Sequence, residues 1–328
     1  MKRLGLAILG CGWIARRHAA AASALRRDVV LSFASRDPGK AEAYRKTFGA
    51  AGAFGSYEAA LQAAAVDAVL ICTPHDRHAD DVLNAAAHGK HILVEKPIAR
   101  RLPEADRMIH AAKAAGVTLM VAENFRFMPA FRRARRYLEA GWVGEVRQLL
   151  IPAQGLASPG GWRLDPERMG GGTLIDGGIH YVDLLLQWGG GVKTLYALSP
   201  PKTLSALGGE DTVSFLAGLS CGAVGFLSNS LAAPGMPRLQ WSTISGTEGS
   251  ILVHHHGRFL YLRGRQGRRA HLFRRDWRGH RAMLKEFVDA VRSGRPPEMD
   301  GAEGRRDLAV VLAAYRSLAT GQPVEVEP

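Results

Sequence analysis

Residues 4–9, LGLAIL, form a short apolar run that ends in Gly10-Cys11-Gly12-Trp13-Ile14-Ala15 and passes into a helix-forming stretch at 16–25. A strand, a glycine-rich turn and a helix in that order constrain the fold more than any other feature, because parallel βαβ units begin this way. Gly10 allows a tight turn and Gly12 lets a group approach the backbone. The helix N-terminus behind them, entered through Trp13 and Ile14, offers unpaired N–H groups and the positive end of a dipole to an anion such as a pyrophosphate. Ala15 replaces the third glycine, as the G-x-G-x-x-G/A pattern permits. A plain structural turn explains the same residues, so the rhythm of the next hundred residues decides between the two.

That stretch alternates apolar strands at 29–35, 68–73, 91–95 and 117–122 with helical segments at 40–48, 79–88 and 104–115. The alternation predicts a parallel sheet with ligand outside the carboxyl ends of its strands. The residues expected there, and so around a dinucleotide, are Ser35-Arg36, Thr73-Pro74-His75 with His78 one turn on, and Glu95-Lys96. At the second strand an acid commonly takes the ribose hydroxyls of NAD, yet here no acid appears until Asp37. Ser35 with Arg36 suits the 2′-phosphate of NADP, which is favoured; the other reading makes Arg36 solvated and Asp37 a helix cap. Lys96 is unusual at the end of a buried strand, and Pro97 stops the strand there.

The chain of 328 residues suits two domains, and 47 % hydrophobic with 22 % charged residues is a globular composition. No apolar run reaches the length of a membrane span, and the opening MKRLGLAILGCGW carries no signal-peptide pattern, so the expected location is the cytoplasm. Three cysteines without CxxC spacing argue against a disulfide framework or zinc cluster. The net charge of +13 raises nucleic acid as a partner. However, 34 of the 43 basic residues are Arg in a chain crowded with Ala and Gly, a bias that base composition also produces, and no recognition motif accompanies it. The Arg-rich run at 263–281 suits an exposed strand edge and turn. His254-His255-His256 lacks a completing Cys or carboxylate, so no metal site is expected and the three are read as solvent-facing.

From residue 144 the texture changes to strands divided by turns, at 146–153, 194–198, 212–219, 223–231, 238–245, 251–255 and 259–263, which predicts a largely antiparallel sheet. Helices are expected at 173–188, 282–293 and 304–320. The first reads GGGTLIDGGIHYVDLLL from Gly170 and sets Asp176 and His180 four residues apart, on one helical face. Gly177 and Gly178 between them each cost about 1 kcal/mol relative to Ala inside a helix, which suggests close approach by a ligand. A glycine turn before a buried helix with a satisfied core histidine is the plainer alternative.

GCGWIA at the start, CTPHDRH at 72–78, EKP at 95–97 and GGGTLIDGGIHYVD at 170–183 together resemble the glucose-fructose oxidoreductase / inositol dehydrogenase / MocA family of nicotinamide-dependent oxidoreductases. The resemblance implies a Rossmann domain at 1–123 and a substrate-binding and oligomerising α+β domain at 124–328. The second has an open, mostly antiparallel sheet, and its C-terminal helix is free to pack on the first. It implies NAD(P) as cofactor, a sugar, polyol or related cyclic substrate, and a homodimer or homotetramer formed through the open sheet. Lys96, Asp176 and His180 become the expected catalytic set. His180 is the base, since an imidazole with an ordinary pKa near ~6.5 moves protons either way at neutral pH. Asp176 orients the substrate hydroxyl, and Lys96 hydrogen-bonds the reacting oxygen. Asn124, Arg126, Trp162 and Arg163 are expected to contact substrate, with loop anchoring as the alternative, and Asp183 to support His180 or to cap. His75 departs from the Asn many relatives carry after Thr-Pro. A non-catalytic dinucleotide sensor, and a reductase of an imine or biliverdin-like substrate, remain the competing functions.

Overall fold

Strands buried at every residue belong in a parallel sheet with both faces covered, and Leu4–Leu9 and Ala68–Ile71 are of that kind. The computed structural model describes residues 2–236 and 239–327. Its first elements are β1 (Leu4–Leu9), α1 (Trp13–Ala24), β2 (Val29–Ala34), α2 (Pro38–Phe48), β3 (Gly52–Phe54), α3 (Tyr57–Gln62), β4 (Ala68–Ile71), α4 (His75–Ala87), β5 (His91–Val94), α5 (Leu102–Ala114) and β6 (Leu119–Val121). The six strands lie in the order β3-β2-β1-β4-β5-β6, all parallel. Strand order reverses direction at β1, the switch point where a crevice opens at the carboxyl ends. Gly10 and Gly12 stand directly after that point.

The second unit begins at Asn124 with a 3₁₀ turn, Asn124–Phe127, and continues through α6 (Pro129–Glu139), β7 (Val146–Gln154) and the short α7 (Pro166–Met169). A π turn at Leu174–Gly178 runs into α8 (Ile179–Gly189). Then come β8 (Val192–Leu198), β9 (Thr212–Leu219), β10 (Val224–Ser230), β11 (Trp241–Gly246), β12 (Ser250–His254), β13 (Phe259–Gly264) and β14 (Gly267–Leu272). The chain closes with α9 (His280–Ser293), α10 (Gly301–Thr320) and β15 (Val324–Glu325). The sheet order is β14-β13-β12-β11-β7-β10-β9-β8-β15, and only β7 with β10 is parallel. In β9 the residues Val213, Phe215, Ala217 and Leu219 are buried, while Leu216 is exposed with Leu198 and Val224 on neighbouring strands. Alternation of this kind packs one face and leaves the other open.

The second stretch of chain is not continuous as a unit. Residues His280–Arg305 group with the first unit, and the chain from Arg306 groups with the second. α9 lies against α1, with Arg292 donating to Asp28 at 2.7 Å and His280 edge-on to His18 at 5.6 Å. The helix expected at 173–188 is broken into a π turn and α8. The strand expected from 238 begins at Trp241, and position 238 lies outside the described residues. The Arg-rich run supplies the exposed edge strand β14, where charge discourages further strand pairing. The histidine run does not face solvent as expected, because His254 and His255 are buried and only His256 is exposed. Among the described residues no helix is long and apolar enough to cross a membrane, and no group of side chains is arranged to hold a metal.

Candidate active site

The turn after β1 is built for an approaching group. Gly10 has φ +97°, and a Cβ there would lie 2.9 Å from the Cys72 carbonyl oxygen. A Cβ on Gly12 would meet nothing within 4 Å, so the protein's own packing does not require glycine at that position. Gly12 caps α1 without a side-chain hydrogen bond, and no acid stands in the first turn. Open space, bare N–H groups and a helix N-terminus fit a dinucleotide pyrophosphate. Trp13 is exposed at the first helical position and Ile14 is half-buried behind it.

At the end of β2, Ser35 is buried and its hydroxyl accepts the Asp37 N–H at 3.1 Å, while Arg36 is exposed. The Asp37 carboxylate caps α2 by accepting the Lys40 N–H at 3.2 Å. Asp37 thus serves its own helix, and Arg36 is the charge left at this strand end.

After β4, Thr73 donates its hydroxyl to Asp81 at 2.7 Å, Pro74 caps α4, and His75 is buried with its ring 5.6 Å from that of His78. His78 is fully buried, with Nδ1 2.9 Å from the Pro97 carbonyl and Nε2 3.0 Å from the Thr73 carbonyl. Burial pushes its pKa below the usual histidine value, against the pull of those two carbonyls. Both ring nitrogens face backbone carbonyls, and the contact with the Pro97 carbonyl ties His78 to the Lys96-Pro97 turn. That turn has a cis peptide bond. Glu95 is also turned inward: one carboxylate oxygen lies 2.6 Å from His18 Nε2, and the other accepts the Lys96 N–H at 3.2 Å. His18, buried on α1, was not singled out from sequence, since its partner is 77 residues away. Lys96 itself is half-buried above this brace.

In the second unit, Asp176 sits within the π turn and His180 just after it. Single π turns concentrate at functional sites. The Thr173 hydroxyl donates to Asn229 at 3.0 Å, and Glu210 accepts the Leu174 N–H at 2.9 Å. Tyr315 accepts the N–H groups of Gly172 and Ile175, both at 3.2 Å, and donates to Glu210 at 3.0 Å. Burial pushes the Glu210 carboxyl and the Tyr315 phenol above their usual ranges. A Cβ on Gly171 would lie 2.4 Å from the Tyr315 oxygen, and one on Gly172 would lie 2.2 Å from the Glu210 carbonyl. A Cβ on Gly178 would lie 2.8 Å from Leu174 Cδ1, so this glycine admits protein and not ligand. Gly177 alone of the pair fits the expectation of open space, for its added Cβ would meet nothing within 4 Å.

The Asp176 carboxylate accepts from Arg163 Nε at 2.8 Å, and the Arg163 guanidinium lies 4.5 Å from the Trp162 ring. All three are expected near substrate from the sequence; their mutual contact is not. His180 is half-buried, its ring stacked on Phe125 at 4.4 Å and 10°. Tyr181 stands edge-on to Phe125 at 5.3 Å, with its hydroxyl 2.7 Å from His255 Nε2. Burial, helped by His256 and His254, pushes the pKa of His255 down to about 4.

Three other expected residues are held by partners within the protein. Arg126 is buried and its Nε donates to Asp183 at 3.0 Å. Asp183 is fully buried in that ion pair and accepts the Gln187 amide at 2.5 Å. Asn124 gives its amide to the Arg278 carbonyl at 2.8 Å, a contact of the loop-anchoring kind. The partners of these side chains lie up to 154 residues away.

A parallel dinucleotide-type sheet followed by a mixed sheet bearing an Asp and a His on an irregular helix defines a nicotinamide-dependent oxidoreductase. Residues 4–123 match an oxidoreductase family with an NAD-binding Rossmann fold, and residues 131–252 match the GFO/IDH/MocA C-terminal domain. Inositol 2-dehydrogenase of Rhizobium meliloti is 30 % identical over 99 % of both chains. Myo-inositol 2-dehydrogenase of Thermotoga maritima is 30 % identical over 80 % of each. A levoglucosan dehydrogenase solved with NADH is 25 % identical over 99 % of this chain and 100 % of that one, with a TM-score of 0.90. The chain belongs to the GFO/IDH/MocA family of oxidoreductases.

Proposed function

We propose that this protein is an NAD(P)-dependent dehydrogenase that moves a hydride between the cofactor and a secondary alcohol or carbonyl of a sugar, polyol or related cyclic compound. The observation that carries the reading is the pair Asp176, on the π turn, and His180, at the start of α8, in a family whose similar members act on inositol and levoglucosan. The first unit is the cofactor domain and the second the substrate and assembly domain. Bound nicotinamide supplies the hydride acceptor, or donor in the reverse direction.

His180 is the base. It takes the hydroxyl proton as the hydride leaves the same carbon, and returns it on reduction. Asp176, oriented by Arg163, accepts a hydrogen bond from a substrate hydroxyl, and Trp162 keeps the guanidinium in place. Lys96 donates to the reacting oxygen and stabilises negative charge developing there. Gly10, Gly12, Trp13 and Ile14 receive the pyrophosphate. The buried Ser35, the exposed Arg36 and the capping role of Asp37 favour NADP over NAD. The open sheet face with Leu198, Leu216 and Val224 suits pairing with a second copy of the chain, and three free cysteines suit the reducing cytoplasm.

The test is a screen of polyols, aldoses and uronates with NAD and NADP, following the absorbance of reduced nicotinamide. Turnover of at least one of these compounds, faster with NADP, is expected. Tight cofactor binding without turnover of any of them would identify a dinucleotide sensor instead.

A further inference from the structure

Phe125 has no role in the reaction proposed above, yet its ring is parallel to that of His180 at 4.4 Å. An offset parallel stack is one of the favoured arrangements of two aromatic rings. Contacts on both sides of Phe125 hold it in place. On one side of it, Asn124 is tied to the Arg278 carbonyl at 2.8 Å. The backbone passes so close here that a Cβ on Gly279, whose φ is +74°, would lie 2.5 Å from the Asn124 carbonyl oxygen. On the other side, Arg126 is locked to Asp183, which stands on α8 one turn beyond His180. The helix carrying the candidate base and the turn carrying Phe125 are thus joined by a buried ion pair. The rings of Tyr181 and Phe131, at 5.3 and 5.5 Å, close the edges of Phe125.

We propose that Phe125 is a positioning residue for His180: the stack fixes the imidazole plane and stabilises the imidazolium formed when His180 takes the substrate proton. With one face covered, rotation of the ring is restricted, and its nitrogens are presented at the edge to a substrate hydroxyl. The negative face of the phenyl ring attracts a cation above it and does nothing comparable for the neutral imidazole. The benefit therefore arises as the proton moves, and appears in turnover and not in substrate binding. The inference rests on the reading of His180 as the base.

The experiment is a double-mutant cycle with Phe125→Leu and His180→Ala, assayed with myo-inositol or with whichever polyol of the screen turns over fastest. Phe125→Leu is expected to lower kcat about tenfold with KM changed less than about twofold. Phe125→Tyr, which keeps the ring face, should stay near the wild-type kcat. In the His180→Ala background, Phe125→Leu should add no further loss. A second readout needs neither substrate nor cofactor. In histidine-labelled protein the ring C–H resonance that His180→Ala deletes should lie upfield, shielded by the phenyl ring, and return downfield in Phe125→Leu. If the Leu variant does not fold, Phe125→Met takes its place in both measurements. An unchanged kcat in Phe125→Leu while His180→Ala is inactive overturns the inference alone and leaves the proposed function standing. Equal loss from Phe125→Leu with and without His180 overturns it as well. Full turnover by His180→Ala removes the base and the inference together.

Discussion

Glycine marks both the turn after β1 and the segment from Gly170 to Gly178, but the two regions use it for opposite purposes. At Gly12 an added Cβ would enter empty space, so the missing side chain leaves room for something the chain does not itself provide. At Gly171, Gly172 and Gly178 the space is already filled by Tyr315, Glu210, Leu174 and Asn229. There the missing side chain lets the protein close on its own backbone and hold a π turn in shape. One region is open, as the proposed pyrophosphate site requires, and the other is sealed by buried polar groups. Gly177 is the exception within the sealed region, and it lies next to Asp176.

The largest effect should come from breaking the seal. Gly172→Ala places a methyl group 2.2 Å from both a carbonyl and a carboxylate oxygen of Glu210. It should destabilise the protein by about 3 kcal/mol or more, read as a lower midpoint in denaturant. Next is a pH effect at the far end of the same aromatic assembly. His255 titrates at about 4 when folded, against an ordinary histidine value of 6.5. The unfolded chain therefore takes up the proton first. His255 contributes its full share above pH 6.5 and loses it as the pH falls toward 4, a change of roughly 3 kcal/mol. Urea unfolding across that window should show the slope in the wild type and a shallower one in His255→Gln.

The open region should respond differently. Gly12→Val should leave the melting temperature within about 2 °C of wild type and weaken NADPH binding about thirtyfold, by calorimetric titration. Loss of stability there would erase the contrast between the two turns. Smallest in stability is Gly177→Ala, which should be neutral or stabilising by about 0.5–1 kcal/mol, because Ala favours helix. Its KM for the polyol should rise if that space receives substrate. An unchanged KM would return Gly177 to the protein's own packing.

Both sheets could be read from the sequence because their signals are local. An apolar run that ends in glycine marks β1, one that ends in Thr73-Pro74 marks β4, and alternation marks β9. The short β3 and α3 carry too few residues to show a period. The π turn could not be read, since it depends on Tyr315 and Glu210 reaching back from 140 and 36 residues away. The same physics hides the partners of other side chains. Asn124, Arg126 and His78 have the residue types of a binding site, and only the fold shows the carbonyl or carboxylate groups beside them. His254 and His255 looked solvated on a strand pattern, but α8 covers this end of β12 by bringing Tyr181 against His255. The positions of Lys96, Asp176 and His180 were legible because each stands beside a break in regular structure, a proline or a glycine pair.

His180 as the proton acceptor in a hydride transfer is the role on which the others depend. The measurement that tests it most directly is kcat of His180→Ala beside wild type on the best polyol, with NADPH binding measured on the same samples. A loss of about a thousandfold in turnover with cofactor affinity unchanged is expected. Undiminished turnover in His180→Ala would contradict that role.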